Sequence, residues 1–280
     1  MCGRFVLSST PHDLARYFAA VPSADLVTEA ELGVSGPEYN VAPTAAIYLV
    51  RQHHQERWLG RARWGLVPPW SKDAAGAARM INARAETLAA KPSFRSAFGQ
   101  RRCLIPADGF YEWTTVAGHK KRQPWFVHRP DGEPYAFAGL WERWRDPARR
   151  DDDHPDPDPD PDPDRGWLRT CCIITAAANP VMAQLHDRMP VVLPPAHWEQ
   201  WLDPAQRDPE LLSELLQPTP ASLVAFHPVS VQVNSARTQG PDLINPIELL
   251  DPDGVGQQRS LFDPVDPLGA STGRGDGSFA

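Results

Sequence analysis

The chain has no run of roughly 18 apolar residues, the length a membrane-spanning helix needs, and no apolar stretch behind Arg4 in MCGRFVLSST resembling a secretory signal. It also lacks a G-x-G-x-x-G loop and a P-loop lysine, which removes the usual support for nucleotide binding. Cysteine is scarce: Cys2, Cys103 and the adjacent Cys171 and Cys172, with no C-x-x-C and no Cys/His ligand pair. Neither a disulfide framework nor a metal site is expected, and no cofactor is called for. These absences together predict a cytoplasmic protein without a membrane partner, with a monomer as the default.

Proline is abundant instead, 31 of 280 residues, more than a compact domain requires, although 41% hydrophobic and 22% charged residues is a globular composition. The net charge of −7 is unevenly placed. Residues 151–164 (DDDHPDPDPDPDPD) hold eight Asp and no Lys or Arg, and residues 251–280 hold five Asp against Arg259 and Arg274. Taking those contributions of −8 and −3 out of −7 leaves +4 for the remainder. Between Arg57 and Arg102, ten Lys or Arg stand against Asp73 and Glu86, a local charge of +8. An acidic total therefore does not exclude a polyanionic partner.

The Asp-Pro run reads as a stiff, solvated, polyproline-II-like loop in 151–165, inserted between Tyr135–Leu140 and Leu168–Thr175, which look like two strands of a hairpin. The chain from Asp251 to 280 has the composition of a disordered tail. Strands are expected at 46–50, 57–67, 102–107, 124–129 and 222–229. Helices are fewer: Thr10-Pro11 predicts one through Phe18, Asn179-Pro180 a short one toward Leu185, and a third begins near Pro195. The pattern is α+β, with a curved, mostly antiparallel sheet or barrel-like core and a few peripheral helices.

Cys2 has the richest chemistry. Removal of Met1, which a small second residue permits, leaves an amine and a thiol on one residue, with reference pKa values of about 8 and about 8.5. An aldehyde would condense with the amine to an imine, and the thiolate would close a thiazolidine ring. A small second residue selected for processing alone gives the same dipeptide. In MINARAET, Asn82 and Arg84 alternate on one face of an extended stretch, as site residues or as a strand edge. Glu112 lies between Tyr111 and Trp113, either an embedded carboxyl suited to acid/base work or the exposed face of a strand. His186 and Arg188 sit between a short helix and an apolar strand, where loops deliver site residues; a structural histidine also fits. Pro43 in YNVAPT and Trp70 in WGLVPPW accompany the basic segment, as a stacking groove for single strands or as core.

In order, MCGRF, YNVAPT, RWGLVPPW, INARAET, ADGFYEW, TAAAN and HDRMPVVL resemble the SRAP (SOS-response-associated peptidase) family over about residues 2–250. The resemblance implies a single SRAP domain over 1–250 that binds single-stranded DNA and captures the ring-opened aldehyde of an abasic site as a covalent thiazolidine. By motif matching, Cys2 is the nucleophile, Asn82 orients it, Glu112 is the acid/base carboxyl, and His186 assists sugar opening. Arg4, Arg84 and Arg188 would hold phosphates, and Pro43 and Trp70 would shape the DNA channel. Associated lyase and self-processing peptidase activities are further implications. Ser71 stands where relatives often carry a second aromatic, and Lys91-Pro92 lies nearest a shifted basic position. A peptidase with Cys2 as N-terminal nucleophile, and a non-covalent single-strand binder, are the competing functions.

Overall fold

The side chain of Thr10 accepts the Asp13 N–H ahead of α1 (Pro11–Phe18), and Ala19 stops the helix in the left-handed region at φ 47°. These limits are those its sequence predicts. A computed structural model describes residues 2–23, 36–116, 122–146 and 167–249; the Asp-Pro run and the tail from Asp251 lie outside them. Around α1 the chain forms β1 (Phe5–Leu7), β2 (Ala20–Pro22), β3 (Glu38–Val41), β4 (Ala46–His53), β5 (Glu56–Trp64) and β6 (Asn82–Arg84). There follow α2 (Pro92–Gln100), β7 (Arg102–Ala107), β8 (Gly109–Thr114), β9 (Gln123–His128), β10 (Tyr135–Trp144) and β11 (Leu168–Ala177). After these come β12 (Arg188–Pro190), α3 (Pro195–Leu202), α4 (Pro209–Glu214) and β13 (Ala225–Pro228).

Two sheets result. One is antiparallel in the order β13-β9-β8-β1-β3. The other runs β12-β11-β10-β7-β4-β5-β2, with β6 alongside β11. Strand β11 also meets β5 in parallel, Thr170 opposite Arg63 and Cys171 opposite Trp64, which closes β4, β5, β11, β10 and β7 into a ring. This is the α+β architecture with a barrel-like, largely antiparallel core. Strands β10 and β11, which flank the Asp-Pro run, pair antiparallel from Gly139 opposite Ile173 to Trp144 opposite Leu168.

Several elements differ from their expected form for local reasons. Strand β5 ends at Trp64 rather than Val67, because Gly65 adopts φ 125° and a Cβ there would stand 2.5 Å from the Ala77 carbonyl oxygen. Asn179-Pro180 leads into a single 3-10 turn, Met182–Gln184, not an α-helix. In 222–229 a 3-10 turn, Ala221–Leu223, precedes β13. Helix α2 was not anticipated: Lys91 precedes it without a capping side chain, and Phe94, Ala97 and Phe98 hold it by burial.

Candidate active site

The N-terminal strand is fixed between both sheets. In β1, Phe5 pairs with Phe110 and Val6 with Gly109 of β8, and the Tyr111 N–H donates to the Arg4 carbonyl at 3.0 Å. On the other side of β8, Gly109 makes room for the Phe126 ring of β9, which a Cβ there would meet at 2.4 Å. Asp108 secures the far end of β1 by accepting the N–H groups of Ser8 (2.6 Å) and Ser9 (2.8 Å). Phe5 meets Trp64 edge to face, with centroids 5.1 Å apart, and the Trp64 indole donates to the Ile81 carbonyl at 3.0 Å. The residue before β6 is thereby tied to β1 through one aromatic pair.

Strand β6 pairs in parallel with β11, Asn82 opposite Ile173 and Arg84 opposite Thr175, so its side chains alternate. Ala83 is buried, Asn82 half-buried and Arg84 exposed. Asn82 Nδ2 donates to the Cys2 carbonyl at 2.7 Å, and its Oδ1 is buried with no hydrogen-bond partner among the described residues. Cys2 is fully buried, with Sγ 3.8 Å from the Arg4 carbonyl oxygen. Burial, and then the nearby Glu112 carboxylate, push the Cys2 thiol pKa upward. Glu112 itself is 4% exposed, on the face of β8 opposite Tyr111 and Trp113. It is an embedded carboxyl, not the solvent face of a strand. Cys2, Asn82 and Glu112 thus converge.

His186 and Arg188 enter from the turn before β12. Asn179 builds that turn: its Oδ1 accepts the Met182 N–H at 2.8 Å and its Nδ2 donates to the Thr219 carbonyl at 2.8 Å. His186 Nδ1 lies 2.9 Å from the Arg188 N–H and 2.7 Å from Asp187 Oδ1. Nδ1 accepts in the first contact and donates in the second, so the two belong to different proton placements on the ring. Nε2 has no partner among the described residues. No hydrogen bond joins His186 to Cys2 or Asn82 there.

The arginines differ in their commitments. Arg188 grips Glu86 with two bonds of 2.6 and 2.9 Å and donates to the Thr175 carbonyl, which holds the Glu86 carboxyl below its usual pKa range. Arg4 Nη1 donates to Asn40 Oδ1 at 2.7 Å and to the Val233 carbonyl at 3.0 Å. Of Arg4, Arg84 and Arg188, only Arg84 is exposed. Trp70 is 65% exposed on a turn whose next residue, Ser71, accepts the Trp144 indole N–H at 2.8 Å. Pro43 is half-buried beside Thr44, at φ 75°. Lys91 lies at the start of α2. Among the described residues no group of three potential metal ligands occurs, and no helix is long and apolar enough to cross a membrane.

Sequence reasoning passed over Asn40 and Asp108, although both lie inside the quoted motifs YNVAPT and ADGFYEW. For Asn40 the signal was an amide within an otherwise apolar strand end.

"Abasic site processing protein YoqW" of Bacillus subtilis (strain 168) is 40% identical over 244 residues, covering 87% of this chain and 99% of that one. "Abasic site processing protein YedK" of Escherichia coli (strain K12) is 32% identical over 250 residues, covering 88% and 100%. "Abasic site processing protein HMCES" of Gallus gallus is 34% identical and covers 76% of this chain and 67% of its own length. A crystal structure of a Bacteroides thetaiotaomicron protein shares the fold at TM-score 0.71 and 22% identity, over 88% of this chain and all of that one. The model of the SOS response associated peptidase (SRAP) family matches residues 1–236, and the chain belongs to that family.

Proposed function

We propose that the protein captures abasic sites in single-stranded DNA through the amine and thiol of Cys2 once Met1 has been removed. The observation that carries this reading is the Asn82 carboxamide, which holds the Cys2 carbonyl with one end and keeps a buried, unpartnered acceptor at the other. Such an acceptor suits an N–H of the amine or of the imine derived from it. The names of the relatives, abasic site processing proteins, supply an aldehyde of the right chemistry.

Glu112 takes a proton from the Cys2 ammonium, and His186 gives one from Nε2 to the sugar ring oxygen as the C1′–ring oxygen bond breaks and the C1′ hydroxyl proton passes to water, leaving the aldehyde. The amine adds to the carbonyl, whose oxygen leaves as water to give the imine. The sulfur then adds to the imine carbon, and the thiol proton passes to nitrogen, closing the thiazolidine. A buried, protonated thiol fits this order, with the amine attacking first. Exposed Arg84 meets phosphate; Arg188 and Arg4 contribute the N–H groups their internal partners leave over. Trp70 stacks on a base, and Pro43 lines the path of the strand.

The test is a denaturing gel after incubation with an abasic single-stranded oligonucleotide. A stoichiometric shifted band that disappears in Cys2→Ala supports capture. Turnover of a peptide without a shifted band would instead favour a peptidase, and undamaged binding with Cys2 dispensable would favour a non-covalent binder.

A further inference from the structure

The stretch from Val229 to Ile244 roofs the outer face of the β1–β8 pair. Val229, Val233 and Leu243 pack with Val6, Tyr111 and Phe126, and Tyr39, Trp113 and Ile244 close the edge. Residues neighbouring Cys2 and residues neighbouring Glu112 therefore touch one segment that lies some 230 and some 120 positions away in the sequence. One side chain organises it. Asn40 is 1% exposed, and its Nδ2 donates toward three carbonyls of that segment: Ser235 at 2.9 Å, Thr238 at 3.1 Å and Val233 at 3.2 Å. Its Oδ1 accepts from Arg4 Nη1 at 2.7 Å, and the same guanidinium donates to the Val233 carbonyl. Gln239 completes the tie, accepting the Tyr39 N–H at 2.9 Å and donating to the Asn40 carbonyl at 3.3 Å, while Trp113 donates to Asn234 Oδ1 at 2.7 Å.

We infer that Asn40 is a positioning residue for the capture reaction: through Arg4 it locks the Cys2-bearing end of β1 beneath the 233–239 segment. A carboxamide is the side chain that does both jobs, presenting an acceptor to the guanidinium and donors to clustered carbonyls. Asn82 restrains Cys2 from the barrel side and the Asn40–Arg4 pair from the other, so removing either leaves Cys2 held on one side. The inference rests on the capture reading for its consequence but not for its geometry.

Two readouts keep those separate. The first is alkylation of the four cysteines by iodoacetamide in the absence of DNA, mapped by peptide mass. In Asn40→Ala, Cys2 should react about ten-fold faster than in the unaltered protein while Cys103, Cys171 and Cys172 stay protected, the effect expected for losing a net hydrogen bond or two. Arg4→Ala, which leaves the loop bonds of Asn40 in place, should do the same. The second readout, on Asn40→Ala alone, is crosslinking to abasic oligonucleotide at saturation, which should slow about ten-fold while affinity for undamaged DNA stays within about two-fold. Unchanged Cys2 protection overturns the inference, as does equal reactivity of all four thiols, which would make Asn40 a general stability residue. If the unaltered protein forms no crosslink, the capture reading falls and the alkylation result still decides the positioning.

Discussion

Asn82 Nδ2 reaches the Cys2 carbonyl at 2.7 Å across 80 positions of sequence, and the other end of the same carboxamide is left buried without a partner. An unsatisfied buried acceptor costs about 1–3 kcal/mol, so retaining one beside Cys2 fits a bound state that satisfies it. Asn82→Ala should therefore slow crosslinking about 10- to 100-fold, with little loss of folding stability because a costly group is removed along with a useful one. Single-turnover crosslinking and thermal unfolding on the same sample check both halves. A large loss of stability with normal crosslinking would make Asn82 structural.

Glu112 is embedded beside a fully buried cysteine. Glu112→Gln keeps the shape and removes the proton acceptor, so crosslinking should fall by about 100-fold or more, within the span of general acid–base catalysis, while affinity for undamaged DNA hardly changes. Equal losses in rate and affinity would contradict the assigned role.

Trp70 is mostly exposed, so little folding energy depends on it. Trp70→Ala should leave the unfolding midpoint within about 1 °C and weaken single-strand binding by about 1–3 kcal/mol, the usual value of one base stack. Fluorescence anisotropy with a labelled oligonucleotide reads the affinity; an unchanged value would remove Trp70 from the binding path.

Four buried thiols set a pH limit. Burial raises the pKa of Cys2, Cys103, Cys171 and Cys172 above the ordinary thiol value. Folded chains keep these protons where unfolded chains release them, so the stabilisation is complete below about pH 9 and is lost as pH climbs above it. Buried Tyr111 and Tyr135, shifted up from 10.0, extend the same trend. Urea midpoints should agree between pH 7 and 8 and drop by pH 10. A midpoint that rises over that interval would show that other groups dominate.

Arg102, 2% exposed on β7, donates to the carbonyls of Phe98, Trp201, Asp203 and Gln206 and so ties the ends of α2 and α3 to the barrel. Arg102→Ala should cost about 3–5 kcal/mol of stability, because the abandoned carbonyls remain buried. A change below about 1 kcal/mol in denaturant unfolding would mean water replaces the guanidinium freely.

The elements legible in the sequence were those with local causes. Arg102–Ala107 is a strand over the expected residues, and Thr10-Pro11 begins α1 as expected. Helix α2 was hidden because its stability comes from packing Phe94 and Phe98, which no cap announced. The candidate site was legible as residue types and motifs, and those motifs resemble the family whose model matches the chain. What a linear reading could not supply was the partner of each side chain. Arg4 and Arg188 carry charge that suggests phosphate, yet each grips an internal acceptor, Asn40 or Glu86, delivered by a remote strand or turn. The register of β6 against β11, which places Asn82 at Cys2, likewise depends on a pairing across about 90 residues.

Intact-mass spectrometry of the purified protein, with and without abasic single-stranded oligonucleotide, tests the central claim most directly. The account predicts a polypeptide lacking Met1 and, with DNA, a single species heavier by the oligonucleotide less one water. A polypeptide that retains Met1 or carries a blocked Cys2 amine and still forms the adduct in full would contradict it.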